Sequence, residues 1–397
     1  MYRVGIECEQ LEGTRFGVGH TLAKLLETIA KIPNVEKEFR FVLYFKKEMP
    51  NDAFLLNPLF ETHILTGGAI PTSFNIFYHI LLPIRYWQDK LDAFFFPSYM
   101  LPAFFIGRAC VVLTNDVYWE AHHGNLPFRY RFSYRLFCWW AAKRARVIIT
   151  ISHFSAHELR EFYHIPESRM IVNPWGIDEQ FQTFERTKKY EDAIAKMKTK
   201  YEIAHDFFLS IGQAFPRRHI REAIMAFACI AQKYSNMQYL VACKDAHNPP
   251  VLENLIKESN QKIGRNAIIH TSYIEIQDLP YLMNEAKGLI YISDKEALGL
   301  PPLEALACNT PSIVKKNELS HEVLGSEEFF ILSHRETNSF IKNSESIEEI
   351  AHTMEKILDN PQQVKDVIQK QKPFLKKLNW QEHAKKLLSV LETVARR

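Results

Sequence analysis

The 397-residue sequence lacks the features that mark several common classes of protein. Its 49 basic and 46 acidic side chains leave a net charge of +3, without the basic excess expected of a nucleic-acid-binding protein. Its six cysteines form no close pair of the metal or redox kind, which indicates reduced, mostly buried thiols. The longest uncharged stretch, residues 93–107, is shorter than the ~18–20 residues of a membrane span, and the N-terminus does not resemble a signal peptide. We therefore expect a cytoplasmic protein with no nucleic-acid partner and no transmembrane helix.

Glycine is also scarce, with 14 residues in the whole chain. Gly17 and Gly19 follow the first predicted strand in the run GTRFGVGH, but Leu22 stands where a third glycine would complete a dinucleotide fingerprint. A nicotinamide or flavin enzyme is therefore not favoured. Two uses of these glycines stay open, namely a close approach of the backbone to a ligand and simple turn geometry.

Short apolar runs alternate with helical patterns along both halves of the chain. This alternation predicts parallel sheets with crossover helices, arranged as two Rossmann-like, doubly wound α/β domains. A segment rich in Lys, Glu and Asp begins at Phe184, so we predict an N-terminal domain over 1–183 and a C-terminal domain over 184–378. The amphipathic residues 379–397 are predicted to form a helix that packs against one of them.

The informative polar residues fall just after predicted strands. Asp116 follows the run VVLT, the segment 213–219 follows FFLSIG, and the run EALGLPPLE follows LIYIS. In open α/β sheets, ligands bind at the carboxyl ends of the strands. We therefore expect one interdomain cleft, with ligand-binding groups drawn from both domains.

Two carboxylates bracket the run EALGLPPLE. Glu296 is predicted on a loop at a strand's carboxyl end, and Glu304 in the first turn of a helix that begins just past Pro301 and Pro302. Gly299 between them lets the backbone come close to a ligand. Glu304 suits the two hydroxyls of a ribose, although complementing the helix dipole is an alternative that stays open.

Arg217 and Arg218 lie between a predicted strand and a predicted helix, in the segment GQAFPRRH. Their planar, permanently charged guanidinium groups suit a diphosphate, and the N-terminus of the helix adds a partial positive charge. The alternative is a pair of surface cations before a helix. Combined with Glu304, the arginine pair predicts half of a nucleotide site.

A second set of candidates lies in the first half of the chain. Asp116 stands directly at a strand end and is a candidate active-site residue. His122 and His123 are predicted in a loop beyond it, either as acceptor contacts or as a solvated pair. His153 and His157 share a predicted helix face but have no third ligand at a suggestive spacing, so no metal site is predicted.

The stretch Phe128–Arg146, FRYRFSYRLFCWWAAKRAR, holds six basic residues and no acidic ones. Aromatic residues interleaved with arginines suit peripheral contact with an anionic membrane. A core-facing helix with a basic outer face gives the same string, and this alternative stays open.

These segments resemble the retaining glycosyltransferases of family 4, which have the GT-B fold. SDKEALGLPPLEALACNTPSIV resembles the family's hallmark run, GQAFPRRH its donor-phosphate segment, and RFGVGHTLAKLLETI its first glycine loop. LNWQEHAKKLL matches its closing helix, which crosses back toward the N-terminal domain. The likeness follows nearly the whole chain in order. It implies two Rossmann-like domains with an interdomain cleft, no required cofactor or essential metal, and a nucleotide-diphosphate sugar donor, GDP- or UDP-linked.

The resemblance also implies residue roles. Glu304 would hold the donor ribose, Glu296 would contact the transferred sugar, and Asp116 matches an aspartate on the acceptor side, where His122 and His123 also lie. The pair Glu296 and Asp116 forms the implied catalytic set. The implied donor-binding residues are Gly17, Gly19, Gln213, Arg217, Arg218, Gly299, Leu300 and Glu304.

The expected function is that of a retaining, hexosyltransferase-type enzyme of bacterial surface polysaccharide biosynthesis. It would move a sugar to a glycan or lipid-linked acceptor, in the cytoplasm or peripherally at the inner membrane face. Gln213 replaces a usual arginine and Asn115 a usual histidine, and these departures motivate the alternative of a non-catalytic scaffold that binds nucleotide sugars.

Overall fold

A computed structural model describes residues 1–13, 15, 17–65, 73–103, 105–124, 127–247, 249–325, 330–331 and 344–396. The contacts divide the chain into two compact units. The first unit is Met1–Gly176 together with Leu378–Arg397, and the second is Ile177–Lys377. Phe181 is buried in the core of the second unit, so the division falls slightly earlier along the chain than the charge pattern indicates.

The first unit contains a parallel sheet of seven described strands in the order β3-β2-β1-β4-β5-β6-β7. Alternate apolar residues of each strand face helices on both sides, which is why the strands read as nearly continuous apolar runs. The strands are β1 (Tyr2–Glu7), β2 (Phe39–Phe45), β3 (Phe60–Ile64), β4 (Ala93–Phe96), β5 (Ala109–Val112), β6 (Val147–Thr150) and β7 (Met170–Val172).

Helices cover both faces of this sheet. A π-helical segment, Phe77–Leu81, joins α3 and α4 into one continuous helical stretch. The helices are α1 (Gly17–Ala30), α2 (Val35–Glu38), α3 (Phe74–Ile76), α4 (Leu82–Gln88), α5 (Asn115–His123), α6 (Phe128–Arg144) and α7 (His153–Tyr163).

The second unit starts with α8 (Lys188–Lys200) and contains a parallel sheet of six described strands in the order β10-β9-β8-β11-β12-β13. The strands are β8 (Asp206–Ala214), β9 (Met237–Asp245), β10 (Ile268–Thr271), β11 (Gly288–Tyr291), β12 (Ser312–Lys315) and β13 (Phe330–Ile331). The remaining helices are α9 (Ile220–Ile230), α10 (Leu252–Ile263), α11 (Leu279–Glu285), α12 (Leu300–Ala307), α13 (Glu318–Leu324), α14 (Ser344–Asp359) and α15 (Pro361–Leu375).

The last helix, α16 (Trp380–Arg396), returns to the first unit and packs beside α1. Leu387, Leu391 and Val394 on its apolar face are buried in that unit's core. The side chain of Asn173 donates a hydrogen bond to the carbonyl of His383 at 3.1 Å, which ties the start of the helix to the loop after β7. The predicted α/β class with two doubly wound sheets is confirmed. Among the described helices, none combines the length and the apolar composition needed to cross a membrane.

Candidate active site

The strand order places a topological switch point in each unit. In the second unit, β8 and β11 are neighbours whose connections leave toward opposite sides of the sheet. Ligands of open α/β sheets bind in the crevice at the carboxyl ends of such strands. The segment after β8 carries Arg217 and Arg218, and the loop after β11 carries Glu296. The candidate donor residues therefore meet at the expected edge of the sheet.

Arg217 is buried and organises the loop after β11. It lies in a short 3₁₀ turn that begins at Pro216, and its side chain is only 5% exposed. Its Nη1 donates hydrogen bonds to the Ser293 hydroxyl at 3.0 Å, the Lys295 carbonyl at 2.5 Å and Glu296 Oε1 at 2.8 Å. One guanidinium thus contacts three residues of the loop that presents Glu296.

Arg218 contacts the same carboxylate oxygen. Its Nε donates to Glu296 Oε1 at 3.2 Å, and its guanidinium lies 5.1 Å from the centre of the Tyr291 ring. A Cβ at Gly212, where φ is 110°, would lie 2.6 Å from Arg218 Nη1, so glycine leaves the space that this side chain uses. Arg218 retains more contact with solvent than Arg217.

Glu296 is held ionised by these two arginines. Burial opposes its ionisation, but the charges of Arg218 and Arg217 outweigh burial and lower the pKa of the carboxyl below its ordinary value. The cluster therefore combines two cations with one anion. It keeps one net positive charge at the sheet edge, which favours an anionic ligand group.

A second, partly buried polar cluster supports the same loop, and the sequence analysis did not predict it. Asp294 Oδ1 lies 3.0 Å from His219 Nε2 and 2.5 Å from Lys315 Nζ at the end of β12. Burial opposes ionisation of Asp294, but these partners lower the pKa of its carboxyl. His219 has a left-handed backbone, φ 49°, at the position where the resembling family's donor-phosphate segment ends in asparagine. Histidine and asparagine both adopt positive φ more often than most residues, and this shared property is the sequence signal that could have identified the position.

Glu304 lies in the second turn of α12, which corrects the predicted first-turn position. The helix begins at Leu300, so both prolines occupy its first turn, where their missing N–H groups cost nothing. A dipole effect fades beyond the first turn, which weakens the alternative explanation of this carboxylate. Burial, reinforced by the charge of Asp178, raises the pKa of Glu304 to about 8. No salt bridge or side-chain hydrogen bond joins it to another residue that the structure describes.

The other donor-side candidates line or adjoin the same region. Gly299 precedes α12 with φ 73°, and a Cβ there would meet no atom within 4 Å, so its open side is available to a ligand. A cleft beside it is lined by Glu296, Gly299, Lys315 and residues of α13. Leu300 is the first residue of α12, and the Gln213 carbonyl accepts a 3.4 Å hydrogen bond from Arg218.

In the first unit, Gly17 and Gly19 begin α1 after the first strand and have different surroundings. A Cβ on Gly19 would lie 2.2 Å from the Gln10 carbonyl oxygen, so this glycine is needed for close packing. A Cβ on Gly17 would meet nothing within 4 Å. Close packing against the Gln10 backbone therefore explains the glycine at position 19, and Gly17 has space beside it.

Asp116 lies in the first turn of α5, which is separated from the end of β5 by two residues. One of its carboxylate oxygens, Oδ1, is buried with no hydrogen-bond partner among the described residues. Buried polar atoms are normally satisfied, so such an atom marks a candidate for ligand binding. The preceding Asn115 is fully buried and donates to Glu158 Oε2 at 2.7 Å, which is a structural use of the position.

His122 and His123 lie in the last turn of α5, which corrects the predicted loop. They are six and seven residues beyond Asp116, or about 9–10 Å along the helix axis. His122 hydrogen-bonds the Tyr118 carbonyl at 2.8 Å and stacks on the Tyr118 ring, and burial lowers its pKa. The structure therefore does not bring this pair together with Asp116. The described residues also contain no group of three or more metal-ligating side chains.

Two family models match the chain at these positions. The model of the group 1 glycosyl transferases matches residues 194–373, which include Arg217, Arg218, Glu296 and Glu304. The model of glycosyltransferase family 4 matches residues 79–181, which include Asp116. The chain belongs to glycosyltransferase family 4.

Curated relatives of this family 4 glycosyltransferase are distant. The serotype-specific mannosyltransferase WbdA of Escherichia coli is 26% identical over 217 residues, which are 54% of this chain and 25% of WbdA. The O-antigen chain mannosyltransferase RfbU of Salmonella typhimurium is 23% identical over 233 residues, 57% of this chain and 60% of RfbU. The chain spans only 25% to 33% of the length of the first curated relatives that it matches.

Solved structures match along the whole chain. WaaG, a glycosyltransferase involved in lipopolysaccharide biosynthesis, has a TM-score of 0.70 at 15% identity and covers 98% of this chain and 99% of its own. Sucrose-phosphate synthase from Thermosynechococcus elongatus has a TM-score of 0.72 at 15% identity, covering 99% of both chains. Anabaena HepE, in a complex with UDP and glucose, has a TM-score of 0.67 at 13% identity, with 99% and 100% coverage. At these identities the likeness shows the fold, and the predicted GT-B fold is confirmed.

Proposed function

We propose that the protein transfers a sugar from a nucleotide-diphosphate sugar to a glycan or lipid-linked acceptor, with retention of anomeric configuration. The observation that carries the proposal is the contact of Arg217 and Arg218 with Glu296 at the switch point between β8 and β11, with Glu304 in the helix that follows this loop. This arrangement offers a cation for a diphosphate and two carboxylates for sugar hydroxyls.

The proposed reaction breaks the bond between the anomeric carbon and the diphosphate and joins that carbon to an acceptor hydroxyl oxygen. The bonding electrons leave with the diphosphate, whose growing charge Arg218 would stabilise, and the proton of the acceptor hydroxyl passes to the departing diphosphate. Glu296 would hydrogen-bond the transferred sugar, and Glu304 the ribose. We assign Asp116 to the acceptor hydroxyl because its Oδ1 has no partner in the described residues.

Arg217 takes a positioning role in this proposal. Its contacts with Ser293, Lys295 and Glu296 use it to hold the loop, and its burial leaves little of it for a ligand. Arg218 then serves the diphosphate, at the position where the family usually has lysine. Gln213 supplies no charge, so Arg218 carries more of this task than a family member with an additional arginine would require.

Mannose is the proposed sugar, because curated relatives such as WbdA and RfbU are named as mannosyltransferases. Assembly of a surface polysaccharide is the proposed context, since RfbU is named for the O-antigen chain. The donor base is taken as guanine or uracil, and the HepE complex with UDP supports including uridine nucleotides in any test.

A thermal-shift screen with UDP, GDP, ADP, dTDP and CMP, followed by their sugars, tests the donor assignment. A ligand at about 100 times its Kd adds about 2.7 kcal/mol, which moves the melting temperature measurably. Glu304→Gln should weaken binding of the selected nucleotide about tenfold or more, because a charged hydrogen bond contributes about 1.5–3 kcal/mol. Glu253→Gln, in the first turn of α10, is the matched control and should bind normally. Equal affinity of both variants would remove Glu304 from the ribose site.

The rival function is a scaffold that binds nucleotide sugars without turnover. Glu296→Ala separates the two, because it removes the carboxylate between the arginines and leaves Glu304 in place. We expect sugar transfer to fall by at least tenfold, since the lost charged hydrogen bonds to the sugar contribute about 1.5–3 kcal/mol. Nucleotide binding by the wild type without turnover of any donor, across a panel of glycan and lipid-linked acceptors, would favour the scaffold.

A further inference from the structure

Helix α6 carries an exposed apolar stripe. Phe128, Phe132, Leu136 and Trp139 are 79%, 58%, 47% and 47% exposed, and their spacing places them on one helix face. The residues of α6 that are buried are small, namely Cys138, Ala141 and Ala142. Phe137 and Trp140 also pack against the core, so α6 has the core-facing side that the alternative expected, but its outer side is apolar as well as basic.

A second stripe lies on the α3–α4 segment. Ile76, Ile80, Ile84 and Trp87 are 41%, 48%, 44% and 64% exposed and repeat the same spacing. The ring of His79 stacks on that of Phe137 at 4.9 Å, so this segment and α6 are neighbours. Two adjacent helical segments thus each expose four large apolar side chains, far more than the scattered exposure usual on a monomer surface.

Cations accompany the two stripes. Residues 128–146 contain six basic side chains and no acidic one, and Arg129, Lys143 and Arg144 are exposed. A cavity of about 630 Å³ between the ends of α4 and α6 is lined by Lys90, Arg108, Arg144 and Arg146, with Asp92 as its one acidic lining residue. Arg108 and Arg146 also donate to the last carbonyls of α16, so they are held in place.

We propose that the α6 stripe and the α3–α4 stripe form a docking surface for an anionic lipid bilayer. Aromatic and aliphatic side chains of an amphipathic helix insert at the boundary between headgroups and acyl chains, while flanking cations meet the lipid phosphates. The combination of bulky apolar residues with a local excess of positive charge matches this occupant. A protein partner would need only the apolar stripes. It would not explain why cations line the neighbouring cavity.

The surface adjoins the helix that carries Asp116. Arg131 donates to the carbonyls of Ala121 and His122, and Arg135 to that of Ala121, so α6 is tied to the C-terminal end of α5. The role of this connection rests on the proposed function: it would hold a lipid-linked acceptor close to α5 when the protein is docked. Bilayer binding itself does not depend on sugar transfer.

Cosedimentation of the full-length protein with vesicles tests the proposal. We expect pelleting with vesicles containing phosphatidylglycerol, little with pure phosphatidylcholine, and a decline as salt rises, because exposed charges are screened within about 10 Å at 0.1 M salt. Emission of the exposed Trp87 and Trp139 should shift to shorter wavelength on binding, and this shift should be reduced in Trp139→Phe. Absence of pelleting with anionic vesicles at low salt would overturn the proposal.

Two double variants locate the surface. Phe132→Ser with Trp139→Ser, and separately Arg129→Gln with Lys143→Gln, should each weaken vesicle binding about tenfold or more, since one cation near an anionic surface contributes about 1 kcal/mol. The matched controls, Tyr273→Ser with Ile276→Ser and Lys188→Gln with Lys189→Gln, change exposed residues of the second unit and should bind as the wild type does.

Hydrogen exchange of the strands of both units serves as the folding check for all four variants, and nucleotide affinity separates this proposal from the proposed function. Wild-type exchange and nucleotide binding with lost vesicle binding support the docking surface, whether or not sugar transfer is ever detected. Vesicle binding unchanged in both surface variants would contradict it. Concentration-dependent self-association that only the Phe132→Ser, Trp139→Ser variant abolishes, without vesicle binding, would assign the stripes to a protein interface instead.

Discussion

Glu304 is a carboxyl group whose charge should depend on its ligand under the proposed function. Burial raises its pKa to about 8, so the unliganded protein keeps it largely protonated at neutral pH. A ribose diol that donates two hydrogen bonds stabilises the ionised form, and nucleotide binding should therefore release a proton. This coupling follows from the surroundings of one side chain, and the sequence alone shows only that a glutamate stands there.

We predict that affinity for the donor nucleotide sugar rises as the pH increases from 6 to about 8 and then levels off. The opposite trend applies to folding, because an acid with a raised pKa stabilises the folded state fully below its ordinary pKa and loses that contribution as the pH rises through about 8. Calorimetric titrations across this range, in buffers of different ionisation enthalpy, measure both affinity and proton release. In Glu304→Gln the pH dependence should disappear. A wild type with the same flat profile would contradict the assignment.

Residue types and strand ends were enough to predict that Arg217, Arg218 and Glu296 lie at one edge of the sheet. The prediction succeeds because parallel strands have their carboxyl ends at the same edge of the sheet and β8 pairs with β11. The sequence could not show that Arg217 turns inward to the loop while Arg218 stays closer to solvent. Side-chain direction depends on packing by residues distant in sequence, such as Ser293.

At the scale of elements, the loop from Ile292 to Gly299 is fixed by two ion clusters. Arg217 holds it through Glu296 and its neighbours, and His219 with Lys315 holds it through Asp294. The loop has few regular backbone hydrogen bonds, so these side chains set the position of Glu296. Its geometry should therefore depend on the shape of the Arg217 guanidinium as well as on its charge.

Arginine-to-lysine substitutions separate these two requirements. Arg217→Lys keeps the charge, but its shorter side chain places the ammonium short of the Nη1 position, and we expect it to lower the free energy of unfolding by about 1–3 kcal/mol and to reduce sugar transfer. Arg218→Lys places the family's usual residue at a less buried position. This variant should retain most of the stability and most of the sugar-transfer activity. Urea denaturation measures the stability of the two variants, and sugar-transfer rates measure their activity. Equal losses of stability in the two variants would contradict a positioning role for Arg217.

The sequence predicted element types better than their ends. Helix α12 begins one turn earlier than expected because two prolines are tolerated where helical N–H groups have no partner. Helix α5 occupies a segment expected to be a loop, although its ending on two histidines followed by Gly124 is typical of a helix C-terminus. The exposed stripe of α6 was ambiguous for another reason, since a sequence does not tell which face of a helix meets the core.

At the scale of the whole molecule, the chain builds two cores and crosses between the units twice, after Gly176 and before Leu378. Helix α16 completes the core of the first unit, although its sequence lies far from that unit's other elements. Its amphipathic pattern predicts a buried face but not the partner of that face. The partner becomes clear from contacts such as Asn173 with His383 and from the packing of Leu391 beside α1.

Shortening a buried side chain on this face of α16 should therefore lower the stability of the first unit only. Leu391 is fully buried, and Leu391→Ala should cost about 2–5 kcal/mol of stability in the first unit, because it leaves a cavity in a packed core. Hydrogen exchange followed by mass spectrometry should show lost protection in peptides of β1, β2 and α1, with peptides of β8 and β9 unchanged. Lys386→Ala, on the exposed face of α16, is the control and should change neither set.

Donor-nucleotide affinity of Leu391→Ala should stay at the wild-type value, because the proposed donor contacts at Arg218 and Glu304 belong to the second unit. Equal loss of protection in both units would mean that the two cores unfold as one.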